Sequence, residues 1–267
     1  MRVPRLAAAL AAALAVGCRP SGGAPQLLVV ATGGGFDAPA TVEAGWHRLR
    51  FHQLAGGKGR NLVLFAVPDA LDLEAFARAL DTALTTPAPA TARGGSESPV
   101  SPADTTSLVL FLAPGRYVWA SMTRAANGRR YVTNGVRREF RVTADSNGAD
   151  APRPTATLSL VDFAFVGADT LDEGAHRIRV TNDGRQDHVL VLHRLGEGVS
   201  FAEWLSEDGA PSTRMGGVSR LGPDQEVFLD VTLTPGRYAA VCLIPDPASG
   251  RPHTELGMVR EIVVTER

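Results

Sequence analysis

The sequence contains two copies of one unit, and this repeat limits the possible folds more than any other feature. LAPGRYVWAS, from Leu112, matches LTPGRYAAVC, from Leu233, and GVRREFRV, from Gly135, matches GMVREIVV, from Gly257. Matching segments lie about 121 to 129 residues apart. Solenoid repeats have periods of roughly 20 to 50 residues, so a period this long indicates a duplicated domain. The sequence therefore predicts two domains of the same fold.

Each copy consists mainly of short strand patterns separated by turn residues. Runs such as LLVV, HRLRF and NLVLFAV are followed by Gly- and Pro-containing turns. One helical pattern, LDLEAFARAL from Leu71, has a counterpart in VSFAEWL around Trp204. The Pro-, Ala- and Ser-rich stretch 85–106 is expected to be a loop insertion. We therefore predict an all-β fold of two tandem Greek-key β-sandwich domains, each with one short helix.

The N-terminal segment has the features of a targeting signal. Arg2 and Arg5 precede an apolar run that is too short to span a bilayer, and the run ends at Gly17 and Cys18. This pattern resembles a bacterial lipoprotein signal, which implies lipidation of Cys18; an ordinary signal peptide cleaved nearby is the alternative. Either reading predicts an exported protein of the cell envelope. A lipidated chain would be anchored to the membrane on its periplasmic or extracytoplasmic face without spanning it.

Composition shifts and turn-rich stretches indicate where the domains begin and end. The predicted divisions are a signal peptide (1–17), a tether (18–25), a first domain (26–143), a linker (144–154) and a second domain (155–267).

Composition and charge exclude some classes of function. The chain is 44% hydrophobic and 21% charged, which is typical of a globular protein. Its formal net charge of −1 gives no indication of nucleic-acid binding. If Cys18 is lipidated, Cys242 is the remaining thiol of the two cysteines. An unpaired thiol in an oxidising compartment is a liability unless it is buried or bound to a metal.

Four residues of the second copy have side chains that bind soft and borderline metal ions. They are His188, Cys242, His253 and Met258. Two imidazoles and a thiolate in a trigonal plane, with a weak axial thioether, form a type 1 copper site. The order histidine, cysteine, histidine, methionine resembles that of the cupredoxins, the blue copper proteins. The resemblance implies cupredoxin-like domains and one type 1-like copper ion in the second domain. It also implies electron transfer or copper handling with a redox or copper-exchange protein partner.

The first copy lacks this set of residues. The counterparts of the four candidate ligands are Asn61, Ser121, Tyr131 and Val136. All four positions lose ligand character together, while the surrounding turn and strand residues persist. We therefore expect the first domain to be a degenerate, metal-free copy. The remaining histidines, His47, His52, His176 and His193, are expected at the surface.

The loop before His253 departs from the family pattern. Ten residues separate Cys242 from His253, whereas familiar blue copper proteins have only a few. A loop with three prolines and a glycine could be held in place, or it could leave His253 mobile.

Two other classes of function were weighed. Two tandem cupredoxin domains also occur in copper nitrite reductases and small laccases, but those enzymes place histidines beside the cysteine, where this chain has Val241 and Leu243. The protein is therefore not expected to be an enzyme. The alternative is a metal-free β-sandwich lipoprotein that binds a partner or ligand. Donor atoms several ångströms apart, with His253 on an exposed loop tip, would favour that alternative.

Overall fold

The computed structural model describes residues 23–57, 59–97, 106–206 and 210–267. The predicted signal peptide (1–17) and Cys18 lie outside the described residues. No helix in the described part of the chain is long and apolar enough to cross a bilayer.

The described chain is dominated by β-strands. The first half contains β1 (Gln26–Ala31), β2 (Phe36–Asp37), β3 (Thr41–Gln53), β4 (Leu62–Val67), α1 (Leu73–Thr82), β5 (Thr91–Ser96), β6 (Thr106–Leu112), β7 (Gly115–Ala120) and β8 (Arg137–Ser146). The second half contains β9 (Ala156–Val161), β10 (Ala164–Gly167), β11 (Thr170–Asp172), β12 (Gly174–Asn182), β13 (His188–Leu195), α2 (Phe201–Ser206), β14 (Ser212–Leu221), β15 (Glu226–Leu233), β16 (Gly236–Val241) and β17 (Val259–Thr265). Short 3-10 helices cover Ala55–Gly57 and His253–Leu256.

The strands form two sheets. The first sheet has the order β2-β1-β3-β6-β15-β12-β9-β10. The second has the order β8-β7-β4-β5-β14-β13-β16-β17-β11. Apolar side chains from both sheets form one core cluster, which includes Leu49, Phe51, Leu62, Leu64, Leu190, Leu192, Val227 and Leu229. The predicted all-β sandwich class, with one short helix in each half, is confirmed.

Both sheets run without interruption through the two halves of the chain. In the second sheet β5 pairs with β14, with Ser96 opposite Val218. In the first sheet β6 pairs with β15, with Val109 opposite Phe228. The halves also share their internal order, since β4 lies between β5 and β7 just as β13 lies between β14 and β16. β8 continues to Ser146, into the predicted linker, and the exact domain boundaries stay a prediction.

The helix of the first half forms where its apolar periodicity predicts. Asp72 caps α1, because its carboxylate accepts hydrogen bonds from the backbone N–H groups of Glu74 and Ala75. The buried face of α1, which includes Phe76 and Leu80, packs on the outer side of the second sheet. One face of the sheet is therefore covered by the helix and the other by the sandwich core.

The expectation of a loop over 85–106 was wrong in part. Thr91–Ser96 forms β5, an inner strand that pairs with both β4 and β14. Its sequence, TARGGS, has two glycines and only one β-branched residue, Thr91, so local propensity gives little signal. Pairing with a neighbour on each side supplies the stabilisation that the sequence pattern does not show.

The expectation that His47 lies at the surface was also wrong. Its side chain is buried, and its Nε2 atom lies 2.8 Å from the carbonyl oxygen of Glu43 and 3.2 Å from the Asn147 amide nitrogen. Asn147 follows β8, and it reaches β3 because β3 and β8 run side by side. A contact between residues 100 positions apart cannot be read from local pattern.

A buried ion pair of the second half binds a segment of the first half. Arg220 in β14 donates to the Asp187 carboxylate at 2.8 Å, and both side chains are almost fully buried. The same carboxylate accepts the backbone N–H and the hydroxyl of Thr86, both at 2.7 Å. Arg220 also donates to the carbonyl of Leu84. The segment after α1 is therefore attached beside His188, the first residue of β13.

Replacing Asp187 with alanine should strongly destabilise the protein. Asp187→Ala leaves the buried guanidinium of Arg220 without its carboxylate, and breaking a buried pair in this way costs about 3–5 kcal/mol. Urea unfolding of the metal-free protein measures the change. Asp69→Ala is the matched control, because Asp69 pairs with Arg141 at 2.9 Å at an exposed position. Its loss should cost about 1 kcal/mol or less. Equal losses in the two variants would contradict the prediction.

Candidate metal centre

Three of the four predicted ligands come together at one end of the second sheet. His188 begins β13, Cys242 directly follows β16, and β13 and β16 are antiparallel neighbours. The start of β13 and the end of β16 therefore lie at the same end of the sheet. His253 lies at this end of the sheet on a 3-10 helix, and Met258 immediately precedes β17.

The long loop before His253 is closed by its own hydrogen bonds. Pro245 and Pro252 form an isolated β-bridge, and Asp246 N–H donates to the carbonyl of Arg251 at 2.8 Å. The backbone N–H of His253 then donates to the carbonyl of Ile244 at 2.9 Å. The extra residues therefore form a side hairpin. This hairpin brings His253 back to Ile244, which lies only two residues after Cys242 in the chain. Of the two expectations for this loop, the structure has the one in which His253 is held in place.

The donor atoms face one another in a closed space. The Nδ1 atoms of His188 and His253 are 3.1 Å apart, and the Cys242 Sγ atom lies 3.9 Å from the first and 3.4 Å from the second. All three side chains are completely buried. The wide separation and exposed loop tip that would favour a metal-free protein are not found.

Hydrogen bonds on the far side of each ring set the proton positions. His188 Nε2 lies 3.1 Å from Oδ1 of Asp162, and a carboxylate can only accept, so Nε2 of His188 carries the proton. His253 Nε2 lies 3.1 Å from Oε1 of Gln186. The orientation of that amide is set by its NH2 group, which donates to Asp246. Both imidazoles therefore carry their proton on Nε2, and both Nδ1 atoms present lone pairs.

The arrangement fits a metal ion. Two Nδ1 lone pairs that face each other at 3.1 Å repel unless a cation lies between them and the sulfur. Ligand bonds of about 2.0 Å to nitrogen and 2.3 Å to sulfur, arranged trigonally, would separate donor atoms by roughly 3.5 to 3.7 Å. The observed separations of 3.1, 3.4 and 3.9 Å bracket these values. The His188, Cys242 and His253 cluster is compatible with a type 1-like copper site.

Burial shifts the ionisation of all three groups. It lowers the pKa of His188, an effect that the Asp162 carboxylate only partly offsets. Burial, and then the nearby charge of His188, lower the pKa of His253. Burial raises the pKa of the Cys242 thiol to about 11, although the backbone N–H of Val189 donates to the sulfur at 3.4 Å. The imidazoles are therefore ready to bind a metal at neutral pH, whereas the thiol must first lose a proton.

Met258 is tied to the other ligands through its backbone. Its N–H donates to the carbonyl of His253 at 2.9 Å, and its carbonyl accepts the N–H of Cys242 at 3.2 Å. The side chain is completely buried. These bonds fix the main chain of Met258 beside Cys242, and its predicted axial role stays a prediction.

The first half has the same backbone arrangement without the ligands. Ser121 N–H donates to the carbonyl of Val136, and Val136 N–H donates to the carbonyl of Tyr131, which are the bonds made by Cys242, Met258 and His253 in the second half. The amide oxygen of Asn61 accepts the backbone N–H groups of Met122 and Thr123. The four counterpart positions therefore occupy equivalent places, and hydrogen bonds satisfy the side chains of Asn61 and Ser121 there.

Several residues of the site were not predicted from the sequence. Asp162, Phe163, Gln186 and Asp246 contact the ligands or support residues that do. Each comes from a turn or loop, and no local pattern distinguishes it from other turn residues. A comparison of the two copies would have drawn attention to the first two, because the corresponding turn of the first half reads Thr-Gly-Gly-Gly.

Comparisons with known proteins give weak similarities of fold. No protein-family model matches the chain, and no curated protein matches it either. Auracyanin from the photosynthetic bacterium Roseiflexus castenholzii is 18% identical, with a TM-score of 0.27 over 41% of this chain and 94% of that one. A copper nitrite reductase from Nitrosomonas europaea is 13% identical, with a TM-score of 0.26 over 90% and 93%.

A multi-copper oxidase from Pediococcus acidilactici is 12% identical, with a TM-score of 0.28 over 93% of this chain and 60% of that one. This chain therefore spans about 60% of the length of the oxidase. Nothing about what the chain binds or does follows from similarities at this level.

The ionisation of Cys242 should be measurable in the metal-free protein. We expect the ultraviolet absorbance of the thiolate to titrate at a pH of about 11, well above the ordinary cysteine pKa of about 8.5. Subtracting the Cys242→Ser titration removes the tyrosine contribution, and a Cys18→Ser background leaves one thiol. Because metal binding must displace the thiol proton, copper affinity should rise with pH. A midpoint below 8.5 would instead indicate a thiolate–imidazolium pair.

Proposed function

We propose that the protein binds one copper ion in the second half of the chain and transfers single electrons. His188, Cys242 and His253 would be the equatorial ligands and Met258 the axial ligand. The observation that carries the proposal is the convergence of two unprotonated Nδ1 atoms and one thiol within 3.9 Å of one another in a buried space.

The chain's own residues prepare the site for this role. Asp162 and Gln186 hold the two Nε2–H groups, so that both rings present nitrogen lone pairs to the ion. His188, Cys242, His253 and Met258 would hold the ion, which would supply one-electron chemistry between a reduced and an oxidised protein partner. Complete burial keeps water away from the ligands.

The attachment of the ligands favours electron transfer over copper exchange. His253 is held by its own backbone bond to Ile244, and its neighbour Thr254 donates both its N–H, at 2.9 Å, and its hydroxyl, at 2.6 Å, to the carbonyl of Cys242. Release of an ion would require these bonds to break and the loop to open. A site that keeps its geometry in both oxidation states suits electron transfer.

A second metal centre, as an oxidase or reductase would need, has little support. In the described part of the chain, His188, Cys242 and His253 are the group of three His, Cys, Asp or Glu residues whose ligand atoms lie close enough to hold an ion. The chain neighbours of the cysteine are Val241 and Leu243, which are not ligands. We therefore propose an electron carrier, not an enzyme.

The same proposal includes a location. The N-terminal pattern that ends at Cys18 would export the chain and anchor it by lipid, so that the copper domain faces the envelope compartment. Its partners would then be other redox proteins of the envelope. Nucleic acid is not among the proposed partners.

Copper binding should give a colour that depends on Cys242. Residues 19–267, loaded with Cu(II), should show an intense visible thiolate-to-copper band and a narrow copper hyperfine splitting in the EPR spectrum. Cys242→Ser should abolish the band. His193→Gln is the control, because His193 lies against Trp204, away from the cluster, and should leave the spectra unchanged. Weak colour that persists in Cys242→Ser would overturn the proposal.

The axial role of Met258 has a separate test. Met258→Leu conserves volume and should cost less than about 1.5 kcal/mol of stability. It should keep the thiolate band but raise the reduction potential, because loss of a thioether donor weakens Cu(II) binding more than Cu(I) binding. Each tenfold change in the ratio of Cu(II) affinity to Cu(I) affinity shifts the one-electron reduction potential by about 59 mV. A redox titration measures the change, and an unchanged potential would remove Met258 from the ligand set.

A further inference from the structure

The turn between β9 and β10 contacts both ligand imidazoles with two adjacent residues. Oδ1 of Asp162 accepts the Nε2–H of His188 at 3.1 Å. The ring of Phe163 packs edge-to-face on the ring of His253, with centroids 5.2 Å apart and an angle of 87°. We call this pair of residues the Asp162–Phe163 clamp.

The carboxylate of the clamp is held in position by the main chain. The backbone N–H of Arg185 donates to both oxygens of Asp162, at 3.0 and 3.2 Å, and the N–H of Gln186 donates to Oδ1 at 3.2 Å. These donors lie in the turn that leads to His188. The carboxylate and the imidazole are therefore fixed relative to each other, although the carboxylate side chain is 29% exposed.

The other clamp residue has an unfavourable backbone conformation. Phe163 has a φ of 68°, in the left-handed region that bulky residues rarely adopt. Such conformations are unfavourable and persist where the surroundings impose them, often at functional sites. Here the conformation lets consecutive side chains reach two different histidines.

The clamp also needs a residue without a side chain opposite it. A Cβ atom on Gly184 would lie 2.5 Å from Oδ1 of Asp162 and 2.9 Å from Nε2 of His188. No positive φ is involved at this position, so the requirement is for space alone. An alanine there would have to push the carboxylate and the imidazole apart.

The first half lacks the clamp together with the ligands. Its corresponding turn, between β1 and β2, consists of Thr32 and three glycines. The carbonyls of Thr32 and Gly33 accept hydrogen bonds from the guanidinium of Arg60, and no imidazole is involved. The carboxylate and the aromatic ring therefore occur in the half that has histidines to hold.

We propose that Asp162 is a positioning residue that sets the tautomer of His188 and favours Cu(II) over Cu(I) at the site. This inference rests on the copper function proposed above. A carboxylate that accepts the Nε2–H increases the electron donation of Nδ1 to a bound ion. Its negative charge also stabilises the more highly charged ion more strongly. Asp162 therefore lowers the reduction potential and slows the loss of Cu(II), while Phe163 restricts the rotation of His253.

The test compares four variants with the wild-type protein. Asp162→Asn keeps an acceptor oxygen but removes the charge, whereas Asp162→Ala removes both. Gly184→Ala leaves the carboxylate in the sequence but displaces it. Asp183→Asn is the matched control, since this nearby turn carboxylate binds the hydroxyls of Ser159 and Thr181 instead of a histidine.

We expect the affinity for Cu(II) to fall about 10- to 100-fold in Asp162→Ala and Gly184→Ala. If Cu(I) affinity is unchanged, a tenfold loss raises the reduction potential by about 59 mV. Asp162→Asn should give a smaller rise and keep the thiolate band, and Asp183→Asn should match the wild type. Potentials that do not differ between the wild type and both Asp162 variants would overturn the inference. So would an equal rise in Asp183→Asn.

A measurement without copper separates this inference from the proposed function. Nitrogen NMR of the metal-free protein should show His188 protonated on Nε2 in the wild type and in Asp183→Asn. In Asp162→Ala it should show a mixture of tautomers. If the wild type gives no thiolate–copper band, the proposed function fails, and the tautomer result still decides whether Asp162 positions His188. An unchanged tautomer in Asp162→Ala would overturn the positioning role even if copper binds.

Discussion

The structure depends on the backbone pairing that joins the two halves edge to edge. An exposed strand edge is open to pairing with other chains, and the pairs β5–β14 and β6–β15 remove two such edges from each half. They also place β13 inside a sheet of nine strands, between β14 and β16. His188, at the start of β13, is therefore completely buried, and its main chain pairs with Leu221 of β14. The ion pair of Asp187 with Arg220 and its bonds to Thr86 add side-chain contacts to the same junction.

The donor cluster is the part of the molecule whose local interactions are least favourable without an ion. Two Nδ1 lone pairs face each other, the Cys242 thiol holds its proton in an apolar space, and Phe163 has a left-handed backbone. Each feature costs free energy, and natural proteins keep such local conflicts mainly at functional sites. A single cation would relieve the first two, because it attracts both nitrogens and displaces the thiol proton. Four backbone bonds around Cys242, His253 and Met258 hold the main chain of the cluster in place.

The sequence alone was sufficient to predict the sandwich class, and it named His188, Cys242 and His253, which the structure brings together. Strand alternation, the Pro-Gly turns and the matching copies are all visible without tertiary contacts. What could not be predicted depends on residues far apart in the chain. β5 forms through pairing with strands on both sides, His47 contacts Asn147, and Asp162 contacts a histidine 26 positions away. The loop before His253 was predictable only in part. Its prolines indicated that it could be rigid, but not that Pro245 and Pro252 would pair to form a hairpin.

The two halves differ in more than the candidate ligands. In the first half, Asn61 replaces the first histidine, and its oxygen accepts two backbone N–H groups, so that no lone pair is left facing another. The turn beside it carries glycines instead of Asp162 and Phe163. The same backbone therefore supports two arrangements. In the first half, hydrogen bonds satisfy the polar side chains, whereas in the second half the hydrogen bonds from Nε2–H leave both Nδ1 lone pairs unpaired. On the proposal above, histidines and a cysteine placed in the first half would bind an ion more weakly, because the turn there has no carboxylate to fix a tautomer and no aromatic ring to restrict rotation. In this fold the residues that orient the ligands differ between the halves along with the ligands themselves.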